Sequence, residues 1–330
     1  MPLLPILSRW LLPNPPPDAA VQAGLRRIGE LVGPLMAGER GFERKLQHPI
    51  GHALAYCNEL VGTLPDLIDI DRAAFASDPL VHALFATAND IESMLGQSEH
   101  LRQFLTIPDT YGIEHFYALL ASRRHEKSIM GIARTGDVVH NDVPQRMLYF
   151  SDHTLTVFAV SPELARMQLR SAAFDSLLKT FAAHVLGVRG EQNSLHHERE
   201  LERTRILASR GRLPPPELAL RTRQLATLDA RLRQNAESLL PARMIDTLAT
   251  FLLRPDEALR LEPLALQIDR SGVLAGKGTL PPGEVSEIEF AELVSRDRRK
   301  HVVVPVRIRR QDAILALEQV REERSRLILI

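Results

Sequence analysis

Between Ser161 and Arg254 the apolar positions recur at helical spacing, whereas the segments on either side carry short alternating or continuous apolar runs. In the second half of that stretch Leu218, Leu225, Leu232 and Leu239 recur every seven residues, with Leu228 between them. A heptad of this kind holds an apolar, coiled-coil-like seam on one side of a helix and calls for a facing helix to bury it. Gly211-Arg-Leu-Pro214-Pro-Pro216 interrupts the pattern. Consecutive prolines lack amide donors and clash with the preceding turn, so one helix ends there and another starts. The pattern therefore predicts an antiparallel helical hairpin over 161–254, with its tip near Pro215. Its first arm opens on Ser161-Pro162, a cap followed by proline in the first turn. The broad face from Leu164 to Val185 is expected to be buried. Gly187 and Gly190 mark an expected interruption, after which Asn193–Ser209 is polar, with Leu195, Leu201 and Leu207 as its apolar side. A seam richer than this neighbour helix can cover predicts self-association, with Leu218, Leu225, Leu228, Leu232 and Leu239 at the interface.

Upstream, Pro13-Asn-Pro-Pro-Pro17 reads as a stiff linker after an apolar arm at 1–17. From Ala19 to about Leu105, stripes such as Leu25–Ile28–Leu31–Val32 and Leu54–Cys57–Val61 predict four or five short helices, broken at Gly and Pro. A further helix is expected from Ile113 to about Arg124, which bounds a helical domain at 18–125. The pattern then changes. Ser128–Ala133, Met147–Phe150 and the β-branched run Thr154–Val160 predict a small antiparallel meander, with turns at Arg134–Asp137 and Ser151–His153. After the hairpin, Leu264–Leu274 reads as strand, turn, strand; strands at Val285–Phe290 and Val302–Ile308 and a helix from Asp312 to about Arg324 follow. The fold class is α+β: a helical domain, then a β domain over 126–330 that carries the hairpin.

Composition narrows the function classes. The 330 residues carry 41 basic and 41 acidic side chains, so no net field draws the chain to nucleic acid or membrane. Locally, Arg296–Arg310 holds seven bases against Asp297 alone, which makes a nucleic-acid interface at 296–310 the competing reading. No aromatic platform interleaves those bases. Cys57 is the single cysteine, which excludes an intrachain disulfide and a thiolate cluster and fits a reducing cytoplasm. The first thirteen residues lack a basic leader and are broken by Pro2, Pro5 and Pro13, a poor match to a signal peptide. Peripheral membrane contact through Trp10, Leu11 and Leu12 is the minor alternative to an arm packed on protein.

Reaction chemistry is not visible in the residues. His48 and His52 lie four apart, as do His196 and Glu200, but neither pair gains a third ligand in sequence, and no metal site is expected. Ser151, Asp152 and His153 are adjacent, so along a strand they point to alternating faces and cannot converge as a triad. Gly276-Lys-Gly-Thr279 lacks the glycine order of a phosphate loop and is not followed by a helix. The leading expectation is a non-enzymatic protein; an enzyme with no recognisable motif is the remaining alternative.

The order of motifs after residue 260 resembles the PilZ domain, a small β-barrel that receives cyclic di-GMP in bacteria. The resemblance rests on Asp269-x-Ser271, Leu280-Pro-Pro-Gly283, the strand Val285-Ser-Glu-Ile-Glu-Phe290, a strand ending near Arg307 and a C-terminal helix. A long helical insertion beside such a barrel is similar to atypical PilZ proteins whose heptad helices bundle between subunits. It implies a bacterial signalling or scaffold protein that self-associates, docks protein partners, and is a cyclic di-GMP receptor or a degenerate relative of one. The residues it marks for ligand are Asp269 and Ser271, with Arg254 and Arg260 as the nearest upstream arginines. The sequence departs from the family where an Arg-x-x-x-Arg segment is expected ahead of the barrel; Arg166 and Arg170 have that spacing but lie on the predicted helix. Leu274 stands where the second motif ends in glycine.

Overall fold

A computed structural model describes residues 18–135, 138–209, 214–275, 281, 284–296 and 299–328. The apolar arm at 1–17, the segment 276–280 with residues 282–283, the Gly-Asp of the expected turn at 134–137, residues 210–213 of the proline tip, and 297–298 lie outside the described residues. In chain order the elements are α1 (Ala19–Leu31), α2 (Pro34–Ala37), α3 (Phe42–Gly62), β1 (Ile68–Asp69), α4 (Arg72–Ser77), α5 (Pro79–Leu84), α6 (Ala88–Gln97) and α7 (Glu99–Leu105). There follow β2 (His115–Thr135), β3 (Val138–Ala159), α8 (Pro162–Ala208), α9 (Pro215–Ser238) and α10 (Pro241–Leu252). The chain closes with β4 (Leu259–Asp269), β5 (Val285–Ser295), β6 (Lys300–Arg309) and α11 (Arg310–Ile328). The class is α+β, with an antiparallel sheet. Two compact units form, each discontinuous in sequence: one within Met1–Ala55 and Asp175–Pro255, the other within Tyr56–Phe174 and Asp256–Ile330. Residues 18–125 thus contribute to both.

The first unit is helical. α1 turns Val21, Gly24, Leu25 and Ile28 inward, the stripe that a 3.6-residue period produces. α10 buries Met244, Ile245, Leu248 and Leu252 in the same way, and Phe251 meets Phe181 of α8 with ring centroids 5.6 Å apart. Arg27 grips Asp175 through two bonds of 2.7 and 2.5 Å, a bidentate fork that ties α1 to α8. α8 runs for 47 residues without a break. The expected interruption at Gly187 and Gly190 does not occur, because a glycine inside a helix costs only about 1 kcal/mol, which continuous neighbours offset. At its start Ser161 Oγ accepts from the Leu164 amide at 3.2 Å, as the capping pattern predicts.

The second unit packs α4–α7 and α11 with a sheet of order β3-β2-β6-β5-β4, to which β1 adds in parallel beside β6. The segment expected to be helical at 113–124 is the first part of β2, so that expectation is corrected. Its Ala and Leu residues favour helix, but Phe116, Ala118, Leu120 and Ser122 are buried at every second position. Partners on both sides, β3 and β6, decide its conformation. From Arg123 onward β2 pairs with β3 alone, so the expected meander of short strands is one long β-hairpin. Three register shifts interrupt it, and positive φ occurs nearby at Asp142, Asp152 and Val157 (57°, 54° and 56°). Each shift inserts an extra residue on β3 and bends the ribbon. Ser151–His153, expected as a turn, therefore lies within β3 at one of these bulges.

The sheet is open, with β3 and β4 at its ends. Beyond β4 the chain reaches back to β3: the Leu148 amide donates to Gly272 O and the Leu274 amide to Arg146 O, both at 2.8 Å. The core joins Phe116, Leu120, Phe150, Ile288, Phe290 and Val304 of the sheet with Leu84, Phe85, Leu95 and Leu101 of the helices. α11 crosses α6 at Gly96, where an added Cβ would lie 2.5 Å from Ala316 O.

Candidate functional site: a cleft at the β4 turn and the α8–α9 hairpin

Asp269 ends β4 and organises the turn after it. Its Oδ1 accepts from the Ser271 amide (2.9 Å), the Ser271 hydroxyl (2.7 Å) and the Val273 amide (2.9 Å). A short acid in this position mimics a backbone turn, which is why Asp and Ser fall two residues apart. Gly272 completes it with φ of 82°, and an added Cβ would stand 2.6 Å from Leu148 O. The position that needs glycine is thus Gly272, not the one held by Leu274. A Gly beside Asp-x-Ser was the sequence signal for this.

The turn forms one wall of a cleft of about 830 Å³ in the second unit. α4–α5 supply the opposite wall and Met147–Phe150 of β3 the floor. His82 spans it: Nδ1 lies 3.2 Å from Phe75 O and Nε2 3.1 Å from Arg270 O. Asp78, also lining it, is engaged as a helix cap for the amides of Leu80 and Val81. Behind the wall His153 stacks on Phe85 at 4.6 Å and donates from Nε2 to Leu84 O at 2.7 Å. Burial pushes its pKa down, against the opposing pull of that carbonyl. At the rim Arg270 and Glu284 make no ion pair with a described residue.

The four residues marked for ligand are not all gathered here. Asp269 and Ser271 line the cleft. Arg260 lies at the other end of β4, nine residues away and so about 30 Å distant, where it pairs with Glu262 at 2.9 Å. Arg254 belongs to the first unit. Arg166 and Arg170 are exposed on α8. Cys57 is fully buried and burial pushes its thiol up to about 12, which leaves it a packing residue rather than a nucleophile. Among the described residues no group of three His, Cys, Asp or Glu side chains could hold a metal ion, and no helix is long and apolar enough to cross a membrane. No family model, curated protein or solved structure matches the chain.

Three of the seven bases at 296–310, Lys300, Arg307 and Arg309, meet carboxylates that the sequence does not reveal. Arg307 makes a two-bond pair with Asp69 of β1 (2.5 and 2.7 Å), which holds that carboxyl below its ordinary range. Arg309 faces Asp71 at 3.4 Å. Lys300 reaches Glu262 at 3.1 Å and Glu292 at 3.3 Å. Glu292, 2% exposed, also accepts from Arg124 Nε at 2.6 Å. Arg124 and Glu292 stand 168 residues apart, beyond any local pattern.

In the hairpin the seam turns toward α8. Leu228 and Leu232 pack with Leu195 into a small buried cluster. Ion pairs flank it: Arg199–Asp229 (2.6 Å), Arg231–Glu191 (2.8 Å) and Arg221–Glu202 (3.3 Å). Leu225 and Leu239 are half-buried, and Leu218 is 37% exposed. The seam is therefore closed at Leu228 and Leu232, while Leu218, Leu225 and Leu239 keep part of their surface exposed.

Proposed function

We propose that this chain is a non-enzymatic docking protein of the bacterial cytoplasm, which self-associates through the α8–α9 hairpin, docks protein partners and carries a PilZ-like β module. The carrying observation is the coverage of α9. Of its 24 residues only Leu228 and Leu232 are buried, while Leu218 and Leu225 on the same seam, and Leu239 just beyond it, keep exposed surface. Fully burying an exposed leucine contributes about 1.5–3 kcal/mol; these seam residues are already partly covered, so each adds a fraction of that to pairing. Replacing Leu225 and Leu239 with Lys is expected to lower the solution mass while helical content stays unchanged.

A second reading, that the β module receives cyclic di-GMP, draws support from the cleft that Asp269 and Ser271 line. The return of residues 272–274 onto β3 supports a PilZ-like closure, although the sheet path is open. Against this reading, the Asp269 carboxylate already accepts three bonds within its own turn. Calorimetric titration with cyclic di-GMP decides it: heat that Arg270→Ala removes supports a receptor, and none at high micromolar ligand leaves protein docking alone.

A further inference from the structure

The side chains that line the cleft at the β4 turn carry three carboxylates, Asp78, Asp269 and Glu284, against one fixed cation, Arg270. The chain as a whole, by contrast, is balanced. Two of these carboxylates hold an oxygen in reserve. Asp269, 9% exposed, serves its turn through Oδ1, and Oδ2 makes no bond among the described residues. That second oxygen is left accessible from the cleft. Asp78 caps α5 through Oδ1 in the same way. Glu284 is exposed and makes no ion pair with a described residue. A carboxylate so nearly buried is stabilised when a donor meets its free oxygen. The rings of Phe75 and Tyr149 add apolar and π surface to the same cleft, which suits a cation.

A ligand that fits must be cationic, carry several donors and reach further than a single ion. A phosphate-bearing nucleotide would bring like charge to the excess of carboxylate, which costs affinity. A metal ion needs ligands that converge, and among the described residues no group of three His, Cys, Asp or Glu side chains does so. An aliphatic chain with spaced ammonium groups meets every demand. Each ammonium offers donors and no acceptor, and the methylenes between them can lie on apolar surface. The volume of about 830 Å³ falls in the range of small-molecule sites. We infer that the cleft binds a linear aliphatic polyamine, whose ammonium groups meet Asp78, Asp269 and Glu284 and whose methylenes lie on Phe75 and Tyr149. This site is independent of the α8–α9 hairpin. In it Arg270 opposes the ligand, whereas cyclic di-GMP would use that same guanidinium.

Calorimetric titration of the full chain with spermidine at low salt tests it, since salt screens such charge pairs. Saturable binding of one spermidine per chain is expected. A carboxylate in contact with an ammonium group contributes roughly fivefold, so Asp78→Asn with Glu284→Gln should weaken binding more than tenfold. Asparagine keeps the α5 cap, so the fold is spared. Arg270→Ala should tighten binding severalfold, a gain that misfolding cannot produce. No saturable heat with millimolar spermidine, a carboxylate variant that binds as the wild type does, or an Arg270→Ala variant that binds more weakly would each overturn the inference. Full displacement of spermidine by magnesium at equal charge concentration would also overturn it, as would heat from cyclic di-GMP that Arg270→Ala removes. A monomeric wild-type chain that still binds spermidine would remove the self-association reading and leave this site standing.

Discussion

Gly272 shows how one residue sets the geometry of the cleft. Its φ of 82° lies in the region that side chains with a Cβ rarely adopt, and Leu148 O sits 2.6 Å from where that atom would be. Gly272→Ala is expected to destabilise the protein by about 1–3 kcal/mol, read from urea unfolding; an unchanged midpoint would show that the turn is not constrained. His153 sets a pH dependence. Burial holds its folded pKa below the unfolded value of 6.5, so as pH falls the unfolded chain takes up the proton first. The stabilising contribution is complete above that value and is lost as pH drops through it toward the folded pKa. Thermal melts should therefore show a falling midpoint on acidification below neutrality, and His153→Phe should flatten that slope. The turn chemistry of Asp269 and Ser271 was legible because it is local. The partners of Arg307 and Glu292 were not, because charged side chains carry no mark of what faces them across a sheet.

At the scale of elements, strong periodicity predicted type and tertiary contact overrode propensity. The C-terminal strands and closing helix appear close to where their alternation placed them, and the Leu218–Leu239 heptad does form a helix that faces another. The first part of β2 reads as helix because Ala, Leu and Tyr tolerate both states, and only neighbouring strands settle the matter. The bulges at Asp142 and Asp152 left only a weak signal, since Asp adopts positive φ more often than most residues but far less than glycine, and the one at the β-branched Val157 left none. α8 gives the clearest test of a misread break. Gly187 and Gly190 sit inside a continuous helix, and nothing lies within 4 Å of a Cβ added at either. Gly187→Ala and Gly190→Ala should each stabilise by about 0.5–1 kcal/mol. A loss of stability or helicity would mean that the long helix bends there in solution.

For the molecule as a whole, linear boundaries were the least legible feature. Both units draw on distant parts of the chain, and α3 and α8 each run from one into the other. The sequence places helices and strands, but it does not say which helices share a core, because the stripes of α1 and α6 are equally apolar. The functional account depends on a hairpin closed internally at Leu228 and Leu232, with Leu218, Leu225 and Leu239 only partly covered. Light scattering of the full chain at tens of micromolar tests this most directly. The account predicts a mass of at least two chains, falling to one with Leu225→Lys and Leu239→Lys while circular dichroism stays unchanged. A wild-type chain that remains monomeric over that range would contradict it.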